Sequence, residues 1–117
     1  PMTEMTNTTA ARTAIQRPKG TQDILPGDSA VWAHMERTAR AHFRAAGFHE
    51  LRTPILEHTE LFARGVGEGT DIVSKEMFTF ERGERSLTLR PEGTAGVVRA
   101  YLEQGMHRLP KPLRLYY

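Results

Sequence analysis

The chain has no cysteine, which excludes disulfides and thiolate metal sites. No apolar run approaches the roughly 18 residues that would cross a bilayer, and no secretory signal is visible. Charge of one sign is also lacking: 16 Lys and Arg stand against 14 Asp and Glu, a formal net charge of +2. So small a surplus gives no ground for a nucleic-acid partner. Aromatic residues are few, 8% of 117 residues, and hydrophobic content is 38%. That allows a modest core in one domain or part of one. The composition fits a cytoplasmic protein.

Metal-ligand spacing is missing too. The five histidines are His34, His42, His49, His58 and His107. No pair of them has the HxH or HExxH spacing that puts two imidazoles on one metal, so no metal site is expected. Gly65, Gly67 and Gly69 fall in GVGEG. They lack the Gly-Lys-Ser/Thr of a phosphate loop and precede Thr70, outside any βαβ unit, so they form no nucleotide fingerprint. A loop is expected there, then a capped turn over Thr70–Ser74.

What is present is a series of punctuated elements. Residues 1–16 are polar, Thr-rich and aperiodic, as in a disordered leader. Pro26-Gly27-Asp28 marks a turn. A helix follows from Ser29 to about Ala46, with Trp32, Met35, Ala39, Phe43 and Ala46 on one side and Gly47 at its end. Phe48 to Ile55 is expected to be a strand, and Pro54 stops its pairing because it has no N–H to give. Glu57 to Arg64 fits a short helix with Thr59 as cap, and the acidic Glu57 fits its start. Met77–Glu81 and Ser86–Arg90 fit a hairpin around Gly83. Leu113 to Tyr117 alternates as a strand.

The stretch richest in chemistry is Ser86 to Glu103, SLTLRPEGTAGVVRAYLE. Leu87 and Leu89 alternate with Thr88 and Arg90, which predicts a strand with the leucines on its buried face. Pro91 ends the ladder. A helix then runs from about Gly93 to Gln104, with Val97, Val98, Tyr101 and Leu102 on one side and Gly105 closing it. Arg99 and Glu103 form an i,i+4 surface pair. Glu92, Gly93 and Thr94 therefore stand where a strand end meets a helix start. A carboxylate and a hydroxyl fixed there suit the α-ammonium of a free amino acid. They equally suit a helix cap, with Glu92 at the positive end of the dipole. The residues alone leave both open.

LTLRPEGTAGVVRAYLE resembles the strand–helix block of the histidyl-tRNA synthetase family, class II aminoacyl-tRNA synthetases. RPKGTQDILP (Arg17–Pro26) resembles that family's N-terminal signature. GFHELRTPILEHTELFARGVGEGTDIVSKEMFTF (Gly47–Phe80) resembles motif 1 and the segment after it. PLRLYY (Pro112–Tyr117) resembles the entry into motif 2. Four blocks in order are far more specific than any one of them. The resemblance implies an α+β fold: part of a class II antiparallel-sheet catalytic domain with flanking helices, over residues 17–117. It implies a histidine–tRNA ligase that uses ATP with magnesium and then charges tRNA(His), working as a homodimer. On this basis Glu92, Gly93 and Thr94 bind histidine, and Pro54 is the motif 1 proline near the dimer interface. It also places part of the long-helix stripe against a second subunit. No residue of the chemical step falls in the chain. Motif 2's arginine, motif 3 and the anticodon-binding domain lie beyond it, so the chain corresponds to an N-terminal fragment of about a quarter of a typical family member.

Two rivals remain at this stage. One is the histidine-binding regulatory paralogue that partners ATP phosphoribosyltransferase. The other is a purely structural dimerisation fragment. The intact RPEGT block favours the ligase over the first. The purified 117-residue chain is predicted neither to activate histidine nor to charge tRNA, as checked by pyrophosphate exchange and aminoacylation. Robust activity from it would overturn the fragment reading.

Overall fold

A computed structural model of the chain describes residues 13–66 and 76–117. The expected loop at Gly67 and Gly69, the turn over Thr70–Ser74 and most of the leader lie outside the described residues. Helix α1 spans Asp28–Ala45 and β1 His49–Glu50. Strand β2 spans Leu56–His58, followed directly by α2, Thr59–Val66. The hairpin strands are β3, Thr79–Arg82, and β4, Arg85–Leu89. Helix α3 covers Thr94–Glu103, a 3-10 turn Met106–Arg108, and β5 Leu115–Tyr116. The chain divides into two units, Pro1–Glu36 and Arg37–Tyr117. In the first, Arg17 Nε donates to the Thr21 carbonyl at 2.6 Å, closing a turn.

In the second unit, α1 ends as Gly47 predicts. Gly47 has φ +81°. Its N–H bonds the Arg44 carbonyl at 3.0 Å, and the Phe48 N–H bonds the Phe43 carbonyl at 2.8 Å. This is the Schellman pattern, with Phe48 packed back on Phe43 at 6.0 Å between ring centroids. Phe43 also stacks on Tyr116 at 4.6 Å. The rest of the expected stripe is not core: α1 buries none of its residues.

Of the predicted strand Phe48–Ile55 only His49–Glu50 is a strand, and β2 begins just beyond that range at Leu56. β1 pairs in parallel with β5, His49 opposite Leu115 and Glu50 opposite Tyr116. β2 joins an antiparallel sheet of order β2-β4-β3. Pro54 thus stands between the strand that belongs to one sheet and the strand that belongs to the other, consistent with a residue that cannot extend a ladder.

The face assignment of that sheet is the reverse of the expected one. Glu57, Thr88 and Thr79 are register partners and share one face; Leu56 with Leu89, and His58, Leu87 and Phe80, share the other. Helix α2 packs over β4 and against α3, and the side it covers is the polar one. Thr88 is fully buried, whereas Phe80 is 53% exposed and Phe78 73%. Among the described residues Phe62, on α2, is the only buried apolar side chain. Alternation correctly places the strand but carries no information on which face a helix will cover. Val98 and Leu102 of α3 are likewise exposed, and Gly96 is its buried residue.

Polar groups inside must find partners. Thr88 Oγ1 lies 2.7 Å from Thr59 Oγ1 and 3.0 Å from Thr79 Oγ1. Thr59 Oγ1 in turn lies 2.7 Å from Ser86 Oγ. Glu57 is a strand residue, not a helix start, and is 6% exposed. Its carboxylate holds Arg99 of α3, with Nη2 donating to Oε1 at 2.9 Å and Nε 2.8 Å from Oε2. The same guanidinium reaches Glu103 Oε2 from Nη1 at 2.6 Å. The Arg99–Glu103 pair is therefore the outer half of a three-residue bridge, and Glu57 above all raises the Arg99 pKa. Thr88→Val is predicted to destabilise the chain by about 1–2 kcal/mol, because Thr59 and Thr79 lose a buried partner. Thr88→Ser should recover most of it. Urea midpoints of the three proteins check this; no shift for valine would show the hydroxyls to be neutral.

Candidate functional site

Residues 90–94 form the corner that the sequence singles out. β4 ends at Leu89, and α3 begins at Thr94 with Gly93 as its N-cap residue. The backbone N–H groups of the first helical turn have no partners within the helix. Glu92 supplies them: Thr94 N–H donates to Oε2 at 2.6 Å, and Ala95 N–H to Oε1 at 3.0 Å. The cap is thus the Glu92 carboxylate, and neither Gly93 nor Thr94 caps through a side chain.

Capping does not exhaust the carboxylate. An ionised carboxylate offers about four lone-pair sites, and two are used. Glu92 is exposed, and it lines a cleft of about 660 Å³ together with Arg90, Gly93, Thr53, Arg52 and Tyr117. The two amides fix the orientation of the oxygens, which is what a binding group needs before its ligand arrives. The capping and binding roles are therefore compatible.

Thr94 turns its hydroxyl to Tyr117, with Oγ1 2.8 Å from the phenol oxygen. The Tyr117 ring lies directly on Gly93. A Cβ built there would sit 2.5 Å from Cε2 and 2.9 Å from Cδ2. Gly93 is thus required by close approach rather than by backbone angle, since its φ is −96°.

Arg90 ties the corner to the segment around Pro54. Its Nη1 donates to Thr53 Oγ1 at 2.9 Å and to the Thr53 carbonyl at 3.3 Å. Its backbone N–H donates to the Ile55 carbonyl at 2.9 Å. Pro54 lies between these two carbonyls and is not among the residues that line the cleft. On the same wall Glu50 receives Arg52 Nε at 2.6 Å and lies 3.7 Å from Arg40 Nε. The Arg52 hydrogen bond, with Arg40 and Tyr116 adding to it, holds the Glu50 carboxyl below the ordinary carboxylate range.

The structure therefore puts Glu92 and Gly93 on one cleft, with Thr94 next to them in the chain but outside its lining. It adds Tyr117, Arg90 and Thr53, which the sequence gave no reason to join to them. Arg90 and Tyr117 did stand inside quoted motif blocks, but only as the polar side of a strand and the last residue of another. Among the described residues, no three His, Asp or Glu side chains come together as a metal site. No described helix is long and apolar enough to cross a membrane.

Comparison with known proteins bears on what such a corner belongs to. The family model for histidyl-tRNA synthetase matches residues 20–117. Histidine–tRNA ligase of Desulforamulus reducens is 63% identical over 102 residues, which are 86% of this chain and 24% of that protein. Its counterpart in Desulfitobacterium hafniense is 61% identical over 105 residues, 89% of this chain and 25% of the relative. The chain thus spans about a quarter of the length of the curated relatives it matches. The apo histidyl-tRNA synthetase of S. aureus superposes with a TM-score of 0.76 at 47% identity, covering 89% of this chain and 24% of that one. An ATP phosphoribosyltransferase regulatory subunit/histidyl-tRNA synthetase from Bacillus halodurans gives 0.67 at 26%, covering 86% and 25%. With a family match running from Gly20 through the RPEGT corner to Tyr117, and a class II fold to go with it, the chain belongs to the histidyl-tRNA synthetase family.

Proposed function

We propose that the full-length protein is a histidine–tRNA ligase and that this chain supplies its ammonium-binding corner. The observation that carries the assignment is the Glu92 carboxylate, fixed by two backbone amides at 2.6 and 3.0 Å on the wall of a cleft. In the reaction, the histidine carboxylate attacks the α-phosphorus of ATP and pyrophosphate leaves. The tRNA(His) 3′ hydroxyl then attacks the adenylate carbonyl and AMP leaves. Both steps depend on holding the amino acid still while charge develops elsewhere. Glu92 binds the ammonium by charge and Thr94 orients it, while Gly93 keeps the floor of the site low. None of the three takes part in bond making.

Magnesium would come with the nucleotide phosphates. Identity of 47% to the S. aureus histidyl-tRNA synthetase against 26% to the Bacillus halodurans regulatory subunit/histidyl-tRNA synthetase favours the ligase over the regulatory role. A cytoplasmic homodimer is part of the proposal. Its support is the α1 stripe, where Trp32 and Met35 stay more than half exposed.

Histidine-dependent exchange of labelled pyrophosphate into ATP, measured on the full-length gene product, tests the assignment. Exchange with histidine and no other amino acid is expected. Glu92→Gln should raise the histidine KM by about tenfold or more, from loss of a charge-assisted contact. The KM for ATP should stay within about twofold. The glutamine keeps one oxygen for the helix amides, so its effect on stability should stay near 1 kcal/mol. Equal loss of both substrates would make Glu92 a cap and nothing more. Histidine binding without exchange would favour the regulatory role.

A further inference from the structure

We propose that Tyr117 is the positioning residue for ammonium recognition: it takes up the hydroxyl hydrogen of Thr94 and so leaves the Thr94 oxygen as an acceptor beside Glu92. This deepens the histidine-binding assignment and rests on it.

A cation offers only donors. A threonine hydroxyl has one hydrogen and two lone pairs, and with its hydrogen turned into the site it would repel an ammonium. The hydrogen needs another destination. Deeper in a helix it would go to the carbonyl one turn back, but Thr94 is the first residue of α3 and has no helical turn before it. The Tyr117 oxygen, 2.8 Å away, is the partner present. Tyr117 is 67% exposed, so its own phenol hydrogen is free to go to water. Both Thr94 lone pairs are then left to accept, two residues from the Glu92 carboxylate that the helix amides orient.

Gly93 makes the contact possible. The aromatic ring occupies the space a Cβ would need, 2.5 Å from Cε2. Any side chain at residue 93 would lift the ring and carry the phenol away from Thr94. Gly93 thus acts on the substrate through Tyr117, not through its own backbone.

The test uses the full-length gene product and pyrophosphate exchange. Tyr117→Phe is expected to raise the histidine KM about tenfold, as for loss of one orienting hydrogen bond, with kcat and the ATP KM within about twofold. Gly93→Ala should act in the same direction. In a Thr94→Val background Tyr117→Phe should add nothing, because both changes remove one function. Two inhibitors separate orientation from packing. The amino alcohol of histidine keeps the ammonium and should weaken in parallel with histidine. Imidazolepropionate lacks the ammonium, and its inhibition constant should not move. An unchanged histidine KM in Tyr117→Phe, or equal weakening of imidazolepropionate, would overturn the inference. A wild-type protein without histidine-dependent exchange would instead overturn the ligase assignment and the inference with it.

Discussion

The bridge from Glu57 to Arg99 is the contact on which the position of the site depends. It joins a strand residue to a helix residue 42 positions later through a carboxylate that is almost out of water. Removing one member of such a pair leaves the other poorly solvated, which costs far more than losing a surface ion pair. Its geometry is fixed by Gly96, where a Cβ would come within 3.1 Å of Glu57 Oε1 and 3.3 Å of Thr53 Oγ1. A side chain there would have to push Glu57 and Thr53 back by a few tenths of an ångström, so glycine suits the close approach of α3 to the sheet. The same helix carries Thr94 at its start and is capped by Glu92. The depth at which Arg99 is anchored therefore bears on where Glu92 and Thr94 stand relative to Arg90 and Thr53.

Much of this was legible in the chain itself. Gly47 ends α1 through a left-handed cap, and Gly83, at φ +63°, turns the hairpin where predicted. Pro54 stops a ladder, and Pro91 separates strand from helix. These signals are local: each depends on what one residue can do with its own backbone. The family was legible for a different reason, because RPEGT stands in order with three other blocks.

What was not legible depends on distant contacts. The side of β4 that α2 covers follows from how the helix connections run, and period-2 alternation is the same for either face. The hydrophobic leucines were accordingly assigned inward, while the structure buries Thr88 between two hydroxyl-bearing neighbours, Thr59 and Thr79. Glu57 looked like the acidic start of a helix, because its partner Arg99 cannot be seen from three or four residues away. Tyr117 meets Thr94 across 23 positions and Arg90 meets Thr53 across 37. No spacing rule reaches that far.

The row Thr79, Thr88, Thr59, Ser86 has a consequence of its own. Three contacts link four hydroxyls, and each hydroxyl has one proton to give. If the donations run head to tail, the row has a direction, and one proton is left over at whichever end it points to. Reversing it requires every hydroxyl to turn together, since a single turned member would set two protons or two lone pairs face to face. The inside of this small sheet then behaves as one switchable dipole, and its polarity is set at the ends, at Ser86 or Thr79, rather than at the buried centre.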